Sequence, residues 1–245
     1  MTARLSDYRV LTFDCYGTLI DWETGIWDAL QPLFAANDLP HVDRKEALAL
    51  FGNVENAQET ETPDMPYPEV LENVHRTMAR RMQLDSSTKL DEAFGRSVPA
   101  WPAFPDTANA LRYLKTRYKL VILSNVDRES FAASNRKLGV SFDAIYTAED
   151  IGSYKPADAN FEYLLTHLKA DLDLDKNDIL HTAQSLLHDH APANRFGLAN
   201  AFIDRQRLSE TGMEGAVAVP DERPETLFEF FTMGEMADAV RAEVC

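Results

Sequence analysis

The chain has 245 residues, 45% of them apolar and 26% charged, with a formal net charge of −16. That is ample for one large domain, or for a core with a smaller companion. The charge argues against a nucleic-acid surface and against an anionic membrane, but leaves room for a small anionic substrate in a locally positive pocket.

The first element is the run Val10-Leu11-Thr12-Phe13. It is short and unalternated, as in a strand buried on both faces. Asp14 follows it, and Gly17 is the first residue that turns the chain freely. Asp14 is therefore expected at the carboxyl end of a central strand, where open parallel sheets bind ligands. Taken alone, it could equally cap a turn. Helical spacing then takes over. Ile26, Leu30, Leu33 and Phe34 predict a helix with Thr24 as N-cap. Asp43 and Glu46 form a capping-box-like pair ahead of Leu48, Phe51 and Val54. A polar break over Glu59 to Pro68 precedes a helix carrying Val70, Val74, Met78 and Met82, and Leu90 with Phe94 predicts one more. These stripes read as mutual packing.

The Pro-rich stretch 99–106 reads as a linker into a different pattern, with Asp106 as the cap of a helix bearing Leu111 and Leu114. Strands are predicted at Lys119 to Leu123, Ala144 to Thr147, Asp178 to Thr182 and Ala199 to Ile203. Helices alternate with them near Glu129 to Leu138, Ala157 to Leu168 and Ala191 to Phe196, with Gly139 and Gly197 closing two of these. Leu227 to Phe231 could add a strand and Met233 to Val244 a last helix. Alternation of this kind predicts an α/β fold, a doubly wound parallel sheet with helices on both faces. The expected division is a core of residues 1–20 and 99–245, with residues 21–98 as an inserted helical cap. No apolar run approaches the roughly 20 residues of a membrane span, and the opening residues lack an apolar signal core. The two cysteines, Cys15 and Cys245, suggest reduced thiols and a cytoplasmic setting.

In a parallel sheet all strand ends point one way. Asp14, Tyr16 and Thr18 follow the first strand, and Ser124 and Asn125 the second. Lys155 lies beyond the third, and Gln184, Ser185, His188 and Asp189 beyond the fourth. Singly, each has an ordinary reading as a cap or a solvated loop residue. Together they place two carboxylates, a lysine and a hydroxyl–amide pair in one crevice under the cap. Tyr67, Trp22 and Phe51 are candidates for its apolar wall. His188 and His190 read as local hydrogen-bonding groups, not as a metal pair.

The stretch FDCYGTL, the pair LSN, the triplet YKP and the late Asp189 resemble, in that order, the four motifs of the haloacid dehalogenase-like (HAD) superfamily. The inserted helices resemble one of its caps. Most phosphatases of that superfamily carry a second aspartate two positions after the first. Here Tyr16 stands there, which resembles the L-2-haloacid dehalogenase branch. The resemblance implies that Asp14 is a nucleophile, that Thr18 and Lys155 position it, and that Asp189 orients the hydrolytic water. Ser124, Asn125 and backbone N–H groups after Asp14 would hold the substrate carboxylate or the departing halide, with Tyr16 and Ser185 also lining the substrate site.

Covalent attack by a carboxylate requires Asp14 to be ionised, and Lys155 is expected to keep its pKa low. A phosphatase needs an acid for the leaving alcohol and Mg²⁺ for the phosphoryl charge. Tyr16, with an ordinary pKa of about 10, is a poor acid, whereas halide leaves without a proton. The expected activity is thus hydrolysis of short 2-haloalkanoic acids without a cofactor. A phosphatase with weakly held Mg²⁺, or a binding protein without activity, is the alternative. Two departures from the family pattern stand out. No arginine occurs near Leu50-Phe51-Gly52, Arg44 being the nearest, and Leu186 falls where an asparagine is usual. The cap's apolar stripes would also suit a homodimer.

Overall fold

The fold was obtained as a computed structural model, which describes residues 3–39, 41–211, 220 and 222–244. Six strands form one parallel sheet. In chain order they are β1 (Val10–Phe13), β2 (Lys119–Ser124), β3 (Ala144–Thr147), β4 (Ile179–Ala183), β5 (Ala199–Ile203) and β6 (Phe228–Phe230). Their spatial order is β3-β2-β1-β4-β5-β6. The chain winds outward to β3 on one side of β1, then crosses back to β4 on the other. β1 therefore sits at the switch point, where crevices open in such sheets. Phe13 is in register with Ile122 and with Thr182.

Of the helices between β1 and β2, the first four follow β1 directly: α1 (Trp22–Ala36), α2 (Arg44–Glu61), α3 (Tyr67–Arg81) and α4 (Thr88–Gly95). The rest are α5 (Thr107–Leu114), α6 (Arg128–Leu138), the short α7 (Ala148–Ile151), α8 (Asp158–Leu172), α9 (Ala191–Phe196), the short α10 (Leu208–Thr211) and α11 (Met233–Val244). Alternate strand residues serve opposite faces. Leu11, Phe13, Leu120 and Ile122 join a buried cluster that runs on into the apolar sides of α1 to α4. Val10, Val121 and Leu123 meet Phe161, Leu164 and Leu168 of α8 on the other face. Helices thus cover both faces, as the sequence pattern predicts.

Several boundaries differ from expectation. Asp21, not Thr24, caps α1: its Oδ1 accepts from Thr24 N at 3.1 Å, and its Oδ2 also takes the Thr24 hydroxyl. The helix α2 runs two residues past Glu59, so that residue belongs to a helix and not to a break. Asp106 occupies a cap position without capping. Its carboxylate is held instead by Arg205 at 2.7 Å and by Gly234 N at 3.1 Å. Asp43 does cap α2, accepting from Glu46 N at 2.9 Å. Cys15 is a buried free thiol, and Cys245 lies outside the described residues. Among the described residues no helix is long and apolar enough to cross a membrane.

Candidate active site

Asp14 emerges from β1 into the turn that Gly17 makes possible. Gly17 has a φ of +95°, and a Cβ there would lie 2.9 Å from Gln184 Oε1. The turn brings Thr18 back over Asp14, whose Oδ2 accepts from the Thr18 hydroxyl at 2.8 Å. Thr18 Oγ1 is itself fixed by Gln184 N at 2.9 Å. The turn is clamped from outside by Arg205, which donates to Thr18 O at 3.0 Å.

Lys155 is the hub, with only 2% of its surface exposed. Its Nζ donates to Asp14 Oδ1 at 3.0 Å, to Asp189 Oδ1 at 2.6 Å and to Leu123 O at 3.0 Å. Its backbone N–H is held by Asn125 Oδ1 at 2.7 Å, and its carbonyl accepts from Asn125 Nδ2 at 3.0 Å. Asn125 therefore positions the lysine loop. Its Nδ2 also reaches the Glu59 carboxylate at 3.2 Å.

Electrostatics sort the three charges. Burial works against the Lys155 ammonium, but the flanking carboxylates outweigh it and its pKa is raised. Burial likewise opposes ionisation of Asp189, yet Lys155 and the His181 hydrogen bond hold its pKa well below the ordinary value. Asp14 goes the other way. Burial raises its pKa, Lys155 offsets only part of this, and the nearby Asp189 charge adds to the rise. The expectation that Lys155 keeps the Asp14 pKa low is corrected: one ammonium shared between two carboxylates favours the partner that also has a histidine.

That histidine was missed from sequence. His181 lies within β4, fully buried, with Nε2 2.9 Å from Asp189 Oδ1 and Nδ1 2.8 Å from the Thr12 hydroxyl. A titratable residue inside a strand whose other members are Ile, Leu, Thr and Ala is the signal that could have found it. Asp189 Oδ2 remains without a partner although fully buried. Asp189 sits in a single wide turn, Leu186–His190, which Ser185 caps by accepting from His188 N at 3.0 Å. Burial pulls His188 down to about 4, so it is neutral near pH 7. Its Nε2 lies 2.8 Å from Asn56 Oδ1, while His190 Nε2 donates to Ala183 O at 2.9 Å. Both histidines are therefore local hydrogen-bonding groups.

These residues line a cavity of about 90 Å³ between strand ends and cap. Asp14, Tyr16, Asn125, Lys155, Ser185 and Asp189 reach it. Ser124 does not; its hydroxyl is buried and has no partner. Tyr16 lies edge-on against Trp101, 5.4 Å between ring centres, and its hydroxyl is 3.0 Å from that of Ser134. Burial pushes the Tyr16 phenol well above its usual pKa. Trp22 and Tyr67 line the cavity as expected. Phe51 does not; it is buried behind Trp22, with ring centres 5.6 Å apart. Trp101 takes its place in the wall.

The cap contributes no arginine to this cavity. Arg44 lines a separate recess, where its guanidinium is 3.3 Å from Thr24 Oγ1. Instead α2 presents Gly52, Glu55, Asn56 and Glu59. Tyr67 donates its hydroxyl to Glu55 Oε1 at 2.7 Å. Burial raises Glu55 to about 7, and burial with the neighbouring Glu55 charge raises Glu59 well above its ordinary value.

The donor set does not fit Mg²⁺. That ion takes near-octahedral oxygen ligands, but Asp14 commits both oxygens to Lys155 and Thr18, and Asp189 commits Oδ1 to Lys155 and His181. Among the described residues no group of three or more His, Cys, Asp or Glu side chains could hold a metal ion.

Comparison with solved structures shows the same fold across nearly the whole chain. The L-2-haloacid dehalogenase of Xanthobacter autotrophicus matches with a TM-score of 0.77 at 17% identity, over 96% of this chain and 98% of that one. A defluorinating L-2-haloacid dehalogenase matches with a TM-score of 0.77 at 20% identity, over 98% and 100%. YfnB, a HAD hydrolase of Bacillus subtilis solved with magnesium, matches with a TM-score of 0.74 at 18% identity, over 98% and 100%. No curated protein matches the sequence. The family description "haloacid dehalogenase-like hydrolase" matches residues 8–181, which carry Asp14, Thr18, Ser124, Asn125 and Lys155 in the order found at the strand ends. The chain belongs to the haloacid dehalogenase-like hydrolases.

Proposed function

We propose that this hydrolase cleaves the carbon–halogen bond of a short 2-halogenated carboxyl compound through a covalent ester on Asp14. The observation that carries this reading is Tyr16. It occupies the place where an acid for an alcohol leaving group would stand, yet its phenol is buried, raised in pKa and tied to Ser134. Halide needs no proton. An Asp14 oxygen forms the new bond to carbon while the halide departs with the bonding pair. Directly after Asp14 stand the backbone N–H groups of Cys15 and Tyr16. They are the donors nearest in sequence to the nucleophile, and we assign the developing negative charge to them.

The second half-reaction belongs to Asp189. Its pKa is too low for strong base catalysis, so its unpartnered Oδ2 orients a water and does not deprotonate it in advance. Water oxygen adds to the Asp14 carboxyl carbon, the hydroxy product leaves, and one proton passes to solvent. We further propose that no metal takes part, since Lys155 already neutralises part of the carboxylate charge a metal would meet. Of the solved relatives named above, two are haloacid dehalogenases, which agrees with this reading.

The test is halide release from a panel of 2-halogenated carboxylates and carboxamides, with and without chelator, beside phosphate release with and without Mg²⁺. Halide release unchanged by chelator is expected. Magnesium-dependent phosphate release alone would overturn the reading. A single turnover in heavy-oxygen water should label Asp14; label confined to the product would rule out the ester.

A further inference from the structure

The cavity wall opposite Asp14 has the wrong charge for the substrate that the sequence suggests. Four carboxyl groups, Asp14, Glu55, Glu59 and Asp189, face the cavity against one cation, Lys155. That cation is already shared among Asp14, Asp189 and the Leu123 carbonyl. A substrate carboxylate would enter with no free positive partner, beside the ionised Asp189 and three further carboxyl groups that would each repel it when ionised.

Glu55 and Glu59 lie one turn apart on α2, so they share one face of that helix. Each is anchored on one oxygen, Glu55 Oε1 by the Tyr67 hydroxyl and Glu59 Oε2 by Asn125 Nδ2. Anchoring of this kind fixes the carboxyl planes and leaves the remaining oxygens, with neighbouring Asn56, as polar features of α2 beside the aromatic part of the wall. Trp22, Tyr67 and Trp101 make up that wall. An independent sign that the cavity takes a polar ligand is Asp189 Oδ2, fully buried and unpartnered beside it.

We propose that Glu55 and Glu59 are specificity residues that select a substrate whose second functional group donates hydrogen bonds, a 2-halocarboxamide, over the corresponding 2-halocarboxylate. This rests on the carbon–halogen reading above. An amide suits the pair in either protonation state. Its N–H groups donate to an ionised carboxylate. Against a neutral carboxyl, the acid O–H donates to the amide carbonyl while the amide N–H donates to the acid carbonyl. A substrate carboxylate can bind the neutral form only. The reaction remains balanced as before: a C–O bond to Asp14 replaces the carbon–chlorine bond, chloride leaves with the electron pair, and hydrolysis yields the 2-hydroxyamide and one proton.

The experiment uses an isosteric pair, 2-chloropropionamide and 2-chloropropionate, at pH 8, with chloride release as the readout. Binding is measured separately with isobutyramide and isobutyrate, which cannot react, by the fluorescence of Trp22 and Trp101 in the wall. The expected result is at least tenfold higher kcat/KM for the amide and tighter binding of isobutyramide. In Glu59→Gln, and in the double variant with Glu55→Gln, that preference falls at least tenfold, because a glutamine also donates to a carboxylate. Equal or tighter binding of isobutyrate by the wild-type protein would overturn the proposal even if chloride is released. Absence of chloride release from both substrates would overturn the carbon–halogen reading, while the binding preference would still decide the amide selection.

Discussion

Lys155 has three acceptors and two of them are carboxylates, so replacing either carboxylate changes what remains for the other. In Asp189→Asn the ammonium is left chiefly to Asp14, which stays able to attack, while the group that orients water is lost. The expected outcome is a stalled ester: turnover falls by roughly a hundredfold or more, and intact-protein mass spectrometry shows an adduct of the substrate without its halide, an alkyl ester on Asp14. Glu55 makes a second prediction through stability. Its folded-state pKa of about 7 lies above the ordinary 4.5. Its contribution is therefore fully present below pH 4.5 and is lost as pH rises through about 7. Glu55→Gln keeps the acceptor for Tyr67 but cannot ionise. Relative to wild type it should gain stability between pH 5 and pH 8, and show no gain at low pH, by thermal melting at each pH. Because Glu55 retains partial access to solvent, about 3 kcal/mol is the ceiling. His181 belongs to the same scale. Removing it leaves Asp189 Oδ1 short of one buried donor, and His181→Leu should cost about 1–3 kcal/mol in denaturant unfolding.

At the scale of the element, α1 packs its Gly25 directly on Trp101. A Cβ at that glycine would lie 2.2 Å from the indole ring. Gly25→Ala should therefore destabilise the protein by about 1–3 kcal/mol in denaturant, and should also lower activity, since Trp101 lines the cavity. Much of this element structure is legible in the sequence, for reasons that differ by element. The strands show because β1 and β4 are buried on both faces, which removes polar alternation from the text. The ends of α6 and α9 show because Gly139 and Gly197 take left-handed conformations, both with φ of 66°. Thr24 misleads because Asp21 and Thr24 are both good caps three residues apart, and the carboxylate wins. The site divides in the same way. Asp14, Lys155 and Asp189 follow strands, so topology alone brings them together. Glu55 and Glu59 lie in charge-rich text, Glu59 where a polar break is expected, and only the placement of α2 over the strand ends brings them to the cavity. His181 hides inside a strand, where attention to strand ends does not reach.

For the whole molecule, the net charge of −16 and the acidic cavity act in the same direction. An anionic substrate is repelled on approach as well as on binding, and the longer-range part of that repulsion is screened by salt. The value of kcat/KM for 2-chloropropionate should therefore rise with ionic strength, while that for the uncharged amide stays level. Steady-state assays over a salt series check this directly. Among the described residues, cap and core are tied beside the cavity by Tyr154 to Met65 O at 2.6 Å, His188 to Asn56 at 2.8 Å and Asn125 to Glu59 at 3.2 Å, and further out by Gln206 to Glu23. A substrate that enters by lifting the cap must part them. Of these, Asn125 alone also holds the backbone of Lys155, through two bonds that do not involve the cap. Lifting the cap therefore takes Glu59 away but leaves the ammonium seated between its carboxylates. A cap that opened would thus carry away the means of choosing a guest and leave behind the means of attacking it.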